Sequence, residues 1–174
     1  MAPRFKHAKL KAEELLTAGK VKSAPVDVER LASMVQAKVH YEPLENEISG
    51  LVTRTEDGAA LIGVNKFHHP SRQRFTIAHE IGHLLLHDHE LLHIDRAFPI
   101  ALRDANASLG TDAVEIEANQ FAAELLMPTE LIQKDVKKLL NKVEPEEATE
   151  QLAAKYKVSV QAITIRLTAL GFLS

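Results

Sequence analysis

The sequence predicts a mainly helical α+β domain with a small antiparallel sheet and a C-terminal helix-turn-helix-like helical segment. Three observations carry that expectation: apolar residues recur at helical spacing over most of the chain, three short β-type runs cluster before residue 65, and capping and turn residues punctuate the last third. Of the 174 residues, 45% are hydrophobic and 26% charged, the composition of a folded globular protein rather than a disordered or fibrous one. A single core suits this length, because a domain of about 150 residues already buries roughly 70% of its surface.

Taken in order, residues 5–16 read as a first helix and 26 to about 36 as a second, opened by Pro25 in its first turn. Residues 38–41, 48–54 and 59–64 have strand character, and Glu56-Asp57-Gly58 between the last two is a hairpin signal. A third helix over 71–87 places Ile77, Ile81, Leu84 and Leu85 on one face. Residues 88–111, broken by Pro99 and Gly110, read as an irregular, mobile connection long enough to serve as a lid or binding loop. A helix over 112–127 carries a core stripe of Val114, Ala118, Phe121, Ala122 and Leu125 and stops before Pro128. Thr129 caps the next helix, to about 141; another spans 145–156; after a turn at Lys157-Val158, Ser159 caps the last, which Gly171 ends. The expected division is a domain over 1–128 and a helix-turn-helix-like subdomain over 129–174 packed on it.

Bulk chemistry narrows the function. No apolar run nears the roughly 18 residues that span a bilayer, and the basic N-terminus lacks an apolar signal core, so the expected compartment is cytoplasmic with no membrane partner. With no cysteine there are neither disulfides nor thiolate ligands, and any metal site must use imidazole and carboxylate. A net charge of -3 provides no global attraction for nucleic acid. Histidine is distributed unevenly: five of the nine lie between His79 and His93.

His79-Glu80-Ile81-Gly82-His83 is an H-E-x-x-H motif, in which helical i, i+4 spacing lets both imidazoles reach one ion. Glu80 lies about 100° around the helix from His79, beside the metal rather than on it, where it can act as general base toward water. The ion expected with this motif is zinc, which lowers the pKa of bound water to about 7. Chance supplies such a motif in a chain of this composition roughly one time in twenty, so its surroundings must decide. The alternative is a pair of surface histidines on a helix; Gly82, which costs about 1 kcal/mol mid-helix, points instead to a close approach there.

Two third ligands are available. His89 stands at the spacing of H-E-x-x-H-x-x-G-x-x-H, but Leu86 occupies the position that needs glycine. Glu115, on the later helix, has Asn119 one turn along the same face, placed to hydrogen-bond the back of a ligand imidazole, and is preferred. A helix-capping role with Asp112 is the competing reading of Glu115. Glu117, about 200° away, should face elsewhere. His87 is read as a helix C-terminal charge rather than a ligand. His68, His69 and His93 flank the motif without a spacing that selects any of them.

Residues 74–87 (RFTIAHEIGHLLLH) and 115–128 (EIEANQFAAELLMP) together strongly resemble the ImmA/IrrE family of metallopeptidases. The Pro25-Val26-Asp27 helix start, the hairpin ending in Gly63-Val64-Asn65 and the run 152–159 are also similar to this family, so the resemblance extends over about 21–173. It implies a zincin-like domain with His79, His83 and Glu115 as zinc ligands and Glu80 as the catalytic carboxylate. It further implies an intracellular endopeptidase that cleaves a helix-turn-helix repressor or antitoxin and relieves repression after stress, DNA damage or prophage induction. Substrate is expected to pair as a strand with an exposed sheet edge such as 59–64. Two other functions compete: a regulator that sequesters the repressor without cutting it, and a DNA-binding protein using the C-terminal helices. Seven basic and six acidic residues over 130–174, with only Arg166 on the last helix, argue against the latter.

Overall fold

The computed structural model describes residues 2–55, 58–87, 92–96, 109–139 and 142–173. Helices α1 (Phe5–Ala18) and α2 (Val28–Met34) precede strands β1 (Ala37–Glu42), β2 (Ile48–Arg54) and β3 (Ala60–Asn65). Helix α3 (Pro70–Leu86), strand β4 (Leu92–Arg96) and helix α4 (Leu109–Leu126) follow, then α5 (Thr129–Leu139), α6 (Pro145–Tyr156) and α7 (Val160–Ala169). The architecture is the mainly helical α+β one expected.

The sheet has the order β1-β3-β2-β4 and is mixed rather than antiparallel. Strands β2 and β3 form the expected antiparallel hairpin, with Val52 opposite Ile62; its turn residues Glu56 and Asp57 lie outside the described residues. With one edge of β3 taken by β2, β1 pairs along the other, and it runs parallel to β3 with Val39 opposite Ile62. Strand β4 pairs antiparallel with β2, Val52 facing His93. Residues 59–64 therefore belong to an interior strand and offer no edge for a substrate. Part of the expected irregular connection over 88–111 is in fact ordered, as β4 and the first turn of α4; Gly110 falls inside that helix, where glycine is unfavourable but not excluded. Residues 97–108, to which the expected lid mostly belongs, lie outside the described residues, as does His89.

Helix α3 is the centre of the molecule. It packs on β2 and β3 on one side and on α4 on the other, so every residue from Thr76 to Leu84 is buried, polar and apolar alike. Burial all round makes the polar residues of this helix the anomaly to explain. Helix α1 in turn covers α4, with Ala8 and Ala12 at 0% exposure, so a segment outside the region of family resemblance contributes to the core. Arg4 fixes that contact: its backbone N donates to Glu117 Oε1 at 2.7 Å and its guanidinium to both Glu117 oxygens at 3.1 and 2.9 Å. Burial pushes the Glu117 carboxyl up, but Arg4, with His87 beyond, holds it below the ordinary range. Glu117 thus faces away from the metal motif as expected, with a structural partner the sequence did not indicate.

Helix ends follow side-chain capping. Asp27, not Pro25, starts α2 by accepting from Arg30 N at 3.0 Å. Ser159 caps α7 by accepting from Ala162 N, as expected. At α5 the donor and acceptor are reversed: Thr129 does not cap, but donates its N and Oγ1 to the buried Glu124 at 2.8 and 2.9 Å.

Helices α5 and α6 are joined at Asp135, which accepts from Tyr156 Oη at 2.8 Å and lies 2.6 Å from Lys155 Nζ. Burial raises the Asp135 carboxyl, but the Lys155 and Tyr156 hydrogen bonds outweigh it and hold the group below its usual value. A folded-state value below the unfolded one, about 3.9, stabilises the fold above that pH and is lost as pH falls through the folded value. Asp135→Asn is expected to lower stability by about 1–3 kcal/mol at neutral pH and to flatten its decline below about pH 4, as measured by urea unfolding across pH. An unchanged acid limb would contradict this assignment.

Candidate metal centre

The middle of α3 brings His79 and His83 to the surface of α4 because the two helices meet at Gly82, while Glu80 lies on the sheet side beside Gly50. A Cβ built there would lie 3.2 Å from Ala118 Cα and 3.3 Å from Ala118 O, backbone atoms that cannot yield without moving the helix. Gly50 does the same on the sheet side: a Cβ would stand 2.3 Å from Thr76 Cγ2 and 2.8 Å from Gly63 O. Helix α3 is thus held tightly between α4 and β2. Gly82→Ala is expected to destabilise by about 1–3 kcal/mol through overpacking and to weaken metal binding by shifting Glu115; calorimetry and zinc titration check both. Unchanged stability would show that the helices can part freely.

Across this contact His79 Nε2 and His83 Nε2 are 3.0 Å apart. Glu115 spans the pair, with Oε2 at 3.3 Å from His79 Nε2 and Oε1 at 3.4 Å from His83 Nε2. The His79 ring is oriented from behind by Asn119, whose Oδ1 accepts from His79 Nδ1 at 3.0 Å, leaving the Nε2 lone pair aimed at the gap. Burial pulls the His79 imidazolium down, but the Glu115 hydrogen bond and the charges of Glu80, Asp95 and Glu115 lift it to about 9. Burial and the neighbouring imidazoles of His79, His93 and His87 drive His83 well below the ordinary value. The Glu115 carboxyl, raised by burial, is brought below its usual range by His79 first and then by His93 and His87.

Such a set fits a metal ion. Bonds of about 2.0–2.1 Å in a tetrahedral site place ligand atoms roughly 3.3–3.4 Å apart, close to the separations seen here. Without an ion the His79 proton bridges to Glu115, and a divalent cation bound between these groups would take the place of that proton. His79, His83, His93 and Glu115 each contribute an atom to a group lying within 4.8 Å of one another, and His79, Glu80 and Asp95 form a second such group. Glu80, fully buried, therefore stands beside the cluster rather than in it.

His93 and Asp95 were not selected by spacing. Both lie on β4, where alternate residues face the same side, while Leu92 before them and Ile94 between them are 56% and 40% exposed. The pattern is inverted, polar inward and apolar outward, which is why it did not read as a strand. The other candidates are placed elsewhere. His87 caps α3, donating its N–H to His83 O at 3.0 Å, with Nε2 3.7 Å from Glu117 Oε2. His69 accepts from Ser71 N at the start of α3, and His68 Nε2 lies 3.3 Å from Asn46 O, so both serve loop and helix ends.

Comparison with known proteins bears on the fold and the family. A chain described as a Mycobacterium tuberculosis transcriptional regulator shares the fold, with a TM-score of 0.67 at 16% identity over 94% of this chain and 46% of that one. This chain thus spans about half the length of that structure. No curated protein matches it. Among the described residues, no helix is long and apolar enough to cross a membrane. Residues 32–168 match the peptidase family described as the IrrE N-terminal-like domain, and the chain belongs to that family.

Proposed function

We propose that this chain is a zinc-dependent endopeptidase that cleaves a helix-turn-helix repressor or antitoxin, relieving repression in response to stress or DNA damage. The observation that carries the peptidase reading is the convergence of His79, His83 and Glu115 from two helices with the Glu80 carboxylate buried beside them. His79, His83 and Glu115 would hold the ion. Zinc bound there supplies Lewis acidity, polarising a carbonyl and lowering the pKa of coordinated water to about 7. A Glu80 carboxylate oxygen takes the proton of the attacking water and returns it to the leaving amine. Asn119 holds the His79 ring, and the closed α3–α4 contact at Gly82 keeps bulk water from the back of the site.

Among the described strands, the sheet edge near this centre that an extended substrate could pair with is β4, at the end of the strand order, with Leu92 and Ile94 exposed. The repressor substrate rests on the resemblance to ImmA/IrrE proteins and is consistent with a transcriptional regulator sharing the fold. We also divide the chain into a zincin-like domain over 1–128 and a helical subdomain over 129–174. Direct DNA binding by the latter is disfavoured, because Arg166, its candidate contact, is 5% exposed and donates to Met127 O and to Glu124.

A helix-turn-helix protein encoded beside this chain is the substrate to test. Incubation with the zinc-loaded chain should give two fragments in intact-mass spectrometry, and a chelator should abolish them. A partner that stays intact in a stable complex would return the sequestering reading instead.

A further inference from the structure

A catalytic zinc site ordinarily keeps one position open for water or substrate, whereas a structural site is closed by four protein ligands. Here a fourth donor stands beside the first three. His93 Nε2 lies 3.5 Å from Glu115 Oε1, much the same separation as Glu115 keeps from His79 and His83. Its ring stacks on that of His83 with centroids 3.6 Å apart and planes inclined by 21°, closer than two imidazoles on one tetrahedral ion stand, so His93 must tilt out of this stack to bind. All four residues offer donor atoms within 4.8 Å of one another.

The strand that carries His93 gives this placement its meaning. Strand β4 spans five residues and, among the described strands, pairs only with β2. It turns His93 inward while leaving Leu92 and Ile94 exposed, an arrangement opposite to that which burial of apolar surface alone favours. What offsets that exposure is the polar contact made by the inward side chains. A short edge strand that, among the described strands, pairs along one side only can be displaced without unfolding the core.

We propose that His93 is a fourth zinc ligand, so that the resting chain is a closed His79–His83–His93–Glu115 centre which β4 must uncover before a substrate carbonyl can reach the ion. The inference rests on the zinc-peptidase reading and adds a built-in latch to it. A strand pairing with the outer edge of β4 is the interaction suited to draw His93 away, coupling recognition to opening.

X-ray absorption on the zinc-loaded wild-type chain tests this without any substitution: three imidazoles in the coordination sphere are expected, and two would overturn the proposal. Competition titration with a zinc-binding dye provides the second arm. His93→Ala should bind zinc about 100-fold more weakly than wild type, a loss at the upper end of what removal of a ligand-supporting group produces. Cobalt substitution should show its visible spectrum change in the same variant, and circular dichroism checks that the variant is folded. Wild-type affinity and spectrum in a folded His93→Ala chain would overturn the latch while leaving the peptidase reading intact. A wild-type chain that takes up no zinc would overturn both.

Discussion

Replacing Glu80 by Gln is expected to lower kcat for cleavage by about 100- to 10,000-fold while leaving substrate affinity nearly unchanged. The side chain keeps its size in a site with no spare room, being 0% exposed and next to the Gly50 and Thr76 contact, so the fold should tolerate the change. What is lost is the ability to accept a proton. Glu80 lies outside the cluster formed by His79, His83, His93 and Glu115, so zinc should still bind. A steady-state comparison on one repressor substrate checks this: kcat should fall and KM should not. Retained kcat would mean that another group accepts the proton, and Asp95, within 4.8 Å of a Glu80 oxygen, would be the first to examine.

The second large effect lies about the α4–α5 corner. Glu124 and Arg166, at 1% and 5% exposure, form a buried ion pair whose remaining bonds are filled by neighbours. Arg166 Nε donates to Met127 O at 3.1 Å and its terminal nitrogen to Thr129 Oγ1 at 3.0 Å, while Glu124 receives both Thr129 donors. Removing one partner strands the other charge in the interior, so Arg166→Ala should cost about 3–5 kcal/mol. For a chain of this size that corresponds to a fall in Tm of roughly 6–20 °C. A residue kept for DNA contact would behave differently: its removal would leave Tm within about 2 °C and weaken DNA binding instead. Differential scanning calorimetry separates the two.

Local geometry was legible in the sequence wherever neighbours along one helix decide it. The i, i+4 pair His79 and His83, the i, i+4 pair Glu115 and Asn119, and the mid-helix Gly82 all stand where helical geometry placed them, because a turn of helix fixes which side chains share a face. The caps at Ser159 and the stop before Pro128 follow from equally local rules. What escaped was set by tertiary pairing. Nothing near residue 37 announces that β1 will run parallel to β3, and the alternation of His93 and Asp95 can be read as a strand only once a metal-type cluster explains polar residues facing inward. The Arg4–Glu117 contact, separated by 113 positions, and the Glu124–Arg166 pair, separated by 42, carry no sequence signal at all.

The proposed site holds one metal ion between two helices through His79, His83 and Glu115. It is tested most directly by measuring zinc content by atomic emission on the purified wild-type, Glu80→Gln and His83→Ala chains after equilibration with limiting zinc. One zinc per chain is expected in the first two and a large loss in the third. Equal zinc in all three, or none in the wild type, would contradict it.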